Sequence, residues 1–418
     1  MRIRLHAEHL LPIAAPPLAG GWVELEHGRV VRTGGRPHAD GPVDAEVDLG
    51  PVVVMPGLVN AHVHLELSHL RGRVPPADAF VAWVTTMLRT RRDVPAADGE
   101  VIAAAVDEAH RSGTVAFGDI GNTDAAVAPL AASGLDAWHF HEMIGFRGGT
   151  GAARAEAAWH DVGRSDQPAG QGHLRRGVAP HAPYSTAPDL IAGITRGLDA
   201  DQTRRSSIHL AEGVEELQLL RDGSGPWREL LERFGTWDPD WTVPHADPVT
   251  YLERIDALHP HLLVVHGTQV TRAGLARLAR AGTTLVVCAR SNAWVGVGAP
   301  PVAEALAAGV RLAVGTDSLA SVPDLDMFAE LAALARLAPE VPASVLLRAA
   351  TLGGAQALGL EHLGAVVPGT SARLLVVAVP AGVGDVERWL VSGEVQPAHV
   401  RWLPDCLHEA GIGEEWCA

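Results

Sequence analysis

Over roughly the first fifty residues, apolar and polar positions alternate in short runs, as in Trp22-Val23-Glu24-Leu25-Glu26 and Val43-Asp44-Ala45-Glu46-Val47-Asp48, with glycine and proline between them. A period of two puts one set of side chains on each face of a strand, so this stretch predicts a small sheet of short strands. After Pro51 the texture changes. Short apolar runs rich in β-branched residues recur up to about residue 360, separated by Ala/Leu/Arg/Glu-rich stretches of helical character. The runs are 52–60, 115–120, 137–144, 177–181, 207–211, 262–266, 283–288 and 311–315. Eight strands alternating with helices are what a closed parallel barrel requires. Pro368-Gly369 and the run 373–379 return to strand character. The expected architecture is therefore α/β: a (β/α)8 TIM-like barrel over 55–363, with a small β-sandwich formed by the terminal segments 1–54 and 364–418. The stretch from Gly213 to His261 is long for one barrel connection and carries Trp227, Trp237 and Trp241, so it is expected to cover the mouth of the barrel.

At 418 residues and 47% hydrophobic, the chain can bury a large core. A formal charge of −16, with no sustained run of arginine, argues against nucleic acid or an anionic membrane as principal partner. No apolar run approaches the roughly 20 residues that span a bilayer. Cys288, Cys406 and Cys417 form no CxxC pair, which fits a reduced compartment and predicts a cytoplasmic protein. All positive charge is arginine, because the chain contains no lysine. That excludes Schiff-base chemistry, a lysine general base and a carbamylated lysine bridging two metals. The expected partner is a small-molecule substrate; self-association into a homo-oligomer is left open.

The first barrel run leads into His62-Val63-His64-Leu65-Glu66. Alternate residues of a strand face one side, so both imidazoles can reach one metal. Taken alone, such a pair fits two histidines at a strand end equally well. Barrel enzymes, however, place their chemistry at the C-terminal ends of the strands. The fifth run ends at His209, with Glu212 three residues on; the sixth ends at His266, and Asp317 follows the eighth. His266 or Asp317 singly would more often be structural, whereas their joint placement where apolar strands stop favours one site.

The motifs MPGLVNAHVH, APHAPYS, IHLAE, VVHGTQV, CARSNAWVG and GTDSLAS occur in this order along the chain. As a set they resemble the nucleoside-deaminase and triazine-hydrolase branch of the amidohydrolase superfamily. The segment LGAVVPGTSARLLVV also resembles the family's tail, with Arg373 where an aspartate is usual. The resemblance implies one divalent metal on His62, His64, His209 and Asp317, with zinc as first choice and iron or manganese as alternatives. It implies that Asp317 also accepts a proton from the attacking water, that Glu212 shuttles protons to a ring nitrogen and the leaving group, that His266 orients and polarises the nucleophile, and that His181 hydrogen-bonds the substrate. Metal binding lowers the pKa of water from about 16 toward 7, and positioned acid–base help adds roughly 10²–10⁴-fold.

For the substrate, the stretch 62–68 with Arg71-Gly72 and 80–84 is most similar to the aminodeoxyfutalosine deaminases of the alternative menaquinone route. That implies hydrolysis of an adenine ring with release of ammonia. Arg147 could pair with a carboxylate or face ribose hydroxyls, or be an ordinary surface arginine. Glu66 could contact an exocyclic or ribose group, or brace a histidine. His139 and His141 share a face and mimic the HxH pattern, but the family places no ligand there. Ser291 and Asn292 are read as substrate contacts or turn formers, and Cys288 as a packed core residue. The competing readings are a deaminase or dehalogenase of another heterocycle, such as an adenosine-type nucleoside or a triazine, and an inactive barrel serving as a scaffold. Presence of all six metal and acid–base residues speaks against the last.

Overall fold

A computed structural model describes residues 1–36, 41–163, 167–169 and 172–413; Cys417 lies outside the described residues. Eight strands follow the order of the apolar runs: β1 (Leu58–Val63), β2 (Thr114–Gly121), β3 (Asp136–Met143), β4 (Gly172–Pro180), β5 (Ser206–Leu210), β6 (Leu262–His266), β7 (Thr284–Val287) and β8 (Arg311–Val314). They pair in parallel as two arcs, β1 to β4 and β5 to β8, and the short strand Gln167–Ala169 lies antiparallel on the outer side of β4. Strands covered on both faces read as near-continuous apolar runs, which is why β6 is Leu-Leu-Val-Val before its histidine. Ala61, Phe140, Ala179, Val265, Cys288 and Ala313 from six different strands or strand ends meet in one buried cluster. Cys288 thus sits in the core, as its setting in the sequence predicts.

The hydrogen-bonded ladder does not close into a complete barrel. At one seam the His209 amide donates to the His181 carbonyl at 2.9 Å, and Ser206 Oγ to the Val178 carbonyl at 2.7 Å. At the other, the Asp317 amide donates to the His62 carbonyl at 3.1 Å, while Asn60 Nδ2 donates to Thr316 Oγ1 at 2.8 Å. Individual bonds rather than a ladder join the arcs, and both seams end in residues singled out for chemistry.

The run 52–60 is not one barrel strand. Val52–Pro56 pairs antiparallel with Leu374–Ala378 and parallel with His9–Leu10. The chain changes sheet at Gly57, where a Cβ would stand 2.6 Å from that of Val115 and 3.0 Å from the Trp402 ring. Met55 and Pro56, expected in the barrel, therefore belong to a terminal sheet. That sheet has five strands, ordered Val400–Trp402, Leu374–Ala378, Val52–Pro56, His9–Leu10 and Leu18–Ala19. A second, four-stranded sheet is built from Arg2–His6, Trp22–Glu26, Arg29–Gly34 and Ala45–Asp48. Ile3, Leu5 and Leu25 of one share an apolar cluster with Val54, Leu374 and Val376 of the other. Arg373 ties this region to β3, donating to Asp136 Oδ2 at 3.2 Å and to the Gly134 carbonyl at 3.0 Å. Among the described residues no helix is long and apolar enough to cross a membrane.

Candidate active site

Where the apolar strands stop, their last residues converge. The register of β1 against β2 shifts between Asn60 and Val63, an irregularity of the kind that re-aims side chains beside active sites. Three non-glycine residues at strand ends take positive φ: Ala211 at 52°, His266 at 69° and Asp317 at 63°. Such backbone is disfavoured for L-residues and persists where the surroundings impose it, often at functional sites.

His62 is fully buried, and neither of its ring nitrogens has a hydrogen-bond partner. The His64 and His209 rings stand 4.9 and 5.0 Å from it, centroid to centroid. His64 Nε2 lies 3.2 Å from His209 Nε2, and one nitrogen from each of the three imidazoles falls within 4.8 Å of the others. Burying such groups unpaired is costly, whereas lone pairs converging on one cation satisfy them together. The donor set present thus fits a divalent metal. Burial, with the neighbouring imidazoles adding to it, holds His62 and His209 well below the usual histidine range, in the neutral form that binds metal. His209 turns its Nδ1 to the His181 carbonyl at 3.0 Å, leaving Nε2 to face the cluster. Asp317 stands beside this trio, its Oδ1 3.7 Å from His64 Nε2 and its Oδ2 accepting from Ser291 Oγ at 2.5 Å and Ser321 Oγ at 3.3 Å.

Glu212 is only 3% exposed, and burial, reinforced by Asp317 and Glu216, pushes its carboxyl well above the usual range. Its Oε1 lies 3.6 Å from His266 Nε2. His266 in turn meets Asn292 Oδ1 through Nδ1, and the Thr268 hydroxyl donates to the Glu212 carbonyl. His181 Nδ1 is bound to Ser185 Oγ at 2.5 Å.

These groups form the floor of a cavity of about 360 Å³. Its walls include Phe80, Trp83 and Met87 from the helix Phe80–Asp93, then Phe146 and Tyr184, and Trp227, Leu230, Leu231 and Phe234 from the long connection. Tyr184 and Trp227 stack at 3.8 Å, while Trp237 and Trp241 pack behind Phe146 at 5.3 and 5.2 Å. The 213–261 segment, expected to cover the mouth, lines the cavity through Trp227, Leu230, Leu231, Phe234 and Thr236. One wall is polar and consists of Glu66, Arg91, Asn122 and Glu142.

Several placements differ from the sequence reading. Glu66 lines the cavity, and its carboxylate holds none of the expected metal-ligand histidines: it accepts from Arg91 Nη2 at 2.9 Å and from the Thr123 amide and hydroxyl at 3.1 and 2.9 Å. Arg147 does not line the cavity; its Nη2 donates to the Gly235 carbonyl at 2.8 Å. Ser291 and Asn292 are buried in the helix Ala289–Trp294, where they hold Asp317 and His266 instead of forming a turn. His139 pairs through Nδ1 with Asp119 Oδ2 at 2.7 Å. Burial alone would lower its pKa, but the bond to Asp119 and the Asp124 carboxylate 3.6 Å from Nε2 outweigh that and raise it to about 9, which favours the cation over a metal-binding neutral ring. Arg91, Asn122 and Glu142 were not singled out from the sequence. Two of them carried a signal: Glu142 shares strand parity with the core residues Trp138 and Phe140, and Arg91 follows Phe80, Val84 and Met87 at helical spacing.

Residues 53–398 match the amidohydrolase family profile. A 5-methylthioadenosine/S-adenosylhomocysteine deaminase of Moorella thermoacetica is 31% identical over 397 residues, which cover 88% of this chain and 83% of that protein. An aminodeoxyfutalosine deaminase of Deinococcus radiodurans is 32% identical over 357 residues, covering 81% of each chain. The crystal structure of an adenosine deaminase from Xanthomonas campestris with bound zinc superposes with a TM-score of 0.77 at 26% identity, covering 95% of this chain and 90% of that one. Membership carries with it the TIM-barrel type of α/β fold and dependence on a divalent metal. From its motifs, its fold and these relatives, the chain belongs to the amidohydrolase family and is a hydrolase acting on carbon–nitrogen bonds.

Proposed function

We propose that the protein is a hydrolytic deaminase of a 5′-substituted adenine nucleoside, with aminodeoxyfutalosine as its substrate and menaquinone synthesis in the cytoplasm as its setting. The observation that carries this reading is the placement of Glu212: a buried carboxyl 3.6 Å from His266, beside three converging imidazoles, at the floor of a cavity with aromatic and aliphatic walls and one polar side. In this reading the chain from Leu58 to about residue 363 is the catalytic barrel, closed around the site, and the terminal segments on either side of it form an accessory sandwich. One divalent metal, zinc by preference, is held by His62, His64, His209 and Asp317.

A metal so held supplies Lewis acidity that brings the pKa of water from about 16 to near 7. Asp317 receives the water's proton at Oδ1, because Ser291 and Ser321 already occupy Oδ2. His266 offers Nε2 to orient the attacking oxygen. Glu212, whose burial favours the protonated carboxyl, protonates the ring nitrogen next to the amine-bearing carbon as the water oxygen adds there. The hydroxyl proton of the adduct then passes through Glu212 to the departing amine, so that ammonia leaves and the ring keeps a carbonyl, and the proton held by Asp317 returns to Glu212. His181, anchored through Nδ1, directs Nε2 to a second ring nitrogen. The aromatic walls exclude bulk water, which strengthens each of these contacts.

One observation favours a second substrate, 5-methylthioadenosine. Among the described residues Arg91 is the one arginine lining the cavity, and it is already engaged by Glu66 and Asn122, which suits an apolar 5′ substituent better than a benzoate. Ammonia release by the purified, metal-quantified protein separates the two readings. The panel is aminodeoxyfutalosine, 5-methylthioadenosine, S-adenosylhomocysteine and adenosine, with other aminated heterocycles as controls. No turnover of any adenine nucleoside by metal-loaded protein would defeat the proposal.

A further inference from the structure

The polar wall holds two buried carboxylates in different conditions. Glu66 accepts three hydrogen bonds, from Arg91 and from the Thr123 amide and hydroxyl. Glu142, 7% exposed, accepts one, from Asn122 Nδ2 to Oε2 at 2.8 Å. Its buried Oε1 has no hydrogen-bond partner, and the residue lines the cavity. A carboxylate oxygen in that condition loses its water without compensation unless a ligand supplies a donor. The neighbouring His209 Nδ1 lies 3.6 Å away and is already turned to the His181 carbonyl.

The carboxylate is also held in place. Arg91 Nη1 donates to Asn122 Oδ1 at 3.2 Å, which fixes the amide so that its Nδ2 faces Glu142. Arg91 is fixed in turn by Glu66. The result is an oriented acceptor at the foot of the wall, with one ligand-competent atom each of Glu142, His181 and His209 lying within 4.8 Å of one another.

We propose that Glu142 reads a ribose hydroxyl of the substrate, the 2′-hydroxyl, by accepting its hydrogen bond at Oε1. The proposal rests on the nucleoside-deaminase reading of the site. An adenine with its amine carbon over the imidazoles and a ring nitrogen against His181 projects its sugar on the His181 side, where Glu142 stands. The 2′-hydroxyl is the sugar hydroxyl nearest the base. A carboxylate only accepts, so it selects a hydroxyl donor and penalises a deoxy analogue, which leaves the oxygen buried and unpaired. Glu66, with three donors already supplied, has less to gain from a sugar hydroxyl than Glu142 has.

The test compares kcat/KM for an adenine ribonucleoside and its 2′-deoxy counterpart in the wild type, Glu142→Gln and Glu142→Ala, with metal content measured for each. The wild type should prefer the ribonucleoside by about ten- to a hundredfold, the range of a hydrogen bond to a charged group. In Glu142→Ala the ratio should fall toward one with metal content unchanged, and Glu142→Gln should lower it to a few-fold. The glutamine variant keeps the side-chain volume and decides the matter if the alanine variant does not fold. An unchanged ratio in a folded, metal-loaded variant overturns the assignment alone. A second equivalent of metal, present in the wild type and lost in the variants, also overturns it, because Glu142 would then be a ligand. If the wild type deaminates no adenine nucleoside, the functional reading falls and this proposal falls with it.

Discussion

His266 Nδ1 lies 2.8 Å from Asn292 Oδ1 in the buried floor of the site. An amide oxygen only accepts, so the ring proton sits on Nδ1 and Nε2 presents its lone pair toward Glu212. The bond also holds the ring plane. Replacing Asn292 by leucine keeps the volume but removes the acceptor. Turnover should fall about ten- to a hundredfold with metal content unchanged, as for other groups that orient site histidines. Steady-state kinetics beside metal analysis checks this, and undiminished kcat would show that Asn292 does not position His266.

Glu212→Gln should keep the metal and lose the proton shuttle. The expected loss in turnover is roughly a hundredfold or more, the low end of general acid–base help. Burial pushes the carboxyl above its usual range, which favours the protonated form that the proposed mechanism uses first. Activity that survives this substitution would remove Glu212 from the proposed proton path.

His62 has no hydrogen-bond partner at either nitrogen, so a metal is what its burial is proposed to serve. His62→Ala should lose metal and activity together. Chelator treatment of the wild type should abolish turnover and lower the unfolding temperature, with both restored by a divalent metal, because a ligand bound only to the folded state stabilises it. Normal occupancy in His62→Ala would count against its role as ligand.

The His139–Asp119 pair makes a stability prediction independent of activity. His139 has its pKa raised to about 9 in the fold, against 6.5 unfolded. Its contribution is therefore fully present below pH 6.5 and lost as pH rises through about 9. His139→Gln should destabilise the protein by on the order of 1–3 kcal/mol near pH 6 and by less near pH 9.5. Melting temperatures of both proteins across that range give the comparison. A pH-independent gap would mean that His139 is buried neutral.

Much of the barrel was legible because its signal is local. Each β-rich run became a strand at nearly its expected place, since a buried parallel strand must be apolar on both faces. The exception, 52–60, broke at Gly57 because two sheets meet there and only glycine fits between Val115 and Trp402. The metal-ligand candidates were legible for a related reason: a polar residue directly after an apolar strand marks the end of the sheet, where barrel chemistry sits. Ser291 and Asn292 carried no such mark, because a hydroxyl and an amide in a short helix look the same whether they face water or a histidine. Arg147 and Arg91 show the same limit from the other side. The arginine near a strand end reached out to Gly235, while the one on an ordinary amphipathic helix lined the cavity.

By itself, the sequence determined which residues stand at strand ends and which types of atom they bring, because periodicity and residue chemistry act over a few positions. It determined the family as well, since the motifs and their order are properties of the chain. Only the tertiary structure decided which of those atoms meet. His64 and His209 are 145 residues apart, yet their Nε2 atoms stand 3.2 Å from each other. Whether a carboxylate is satisfied, as Glu66 is, or left with an unpaired oxygen, as Glu142 is, depends on side chains from other strands and helices. Hydrogen-bond satisfaction is a property of three-dimensional neighbours, and no spacing along the chain encodes it.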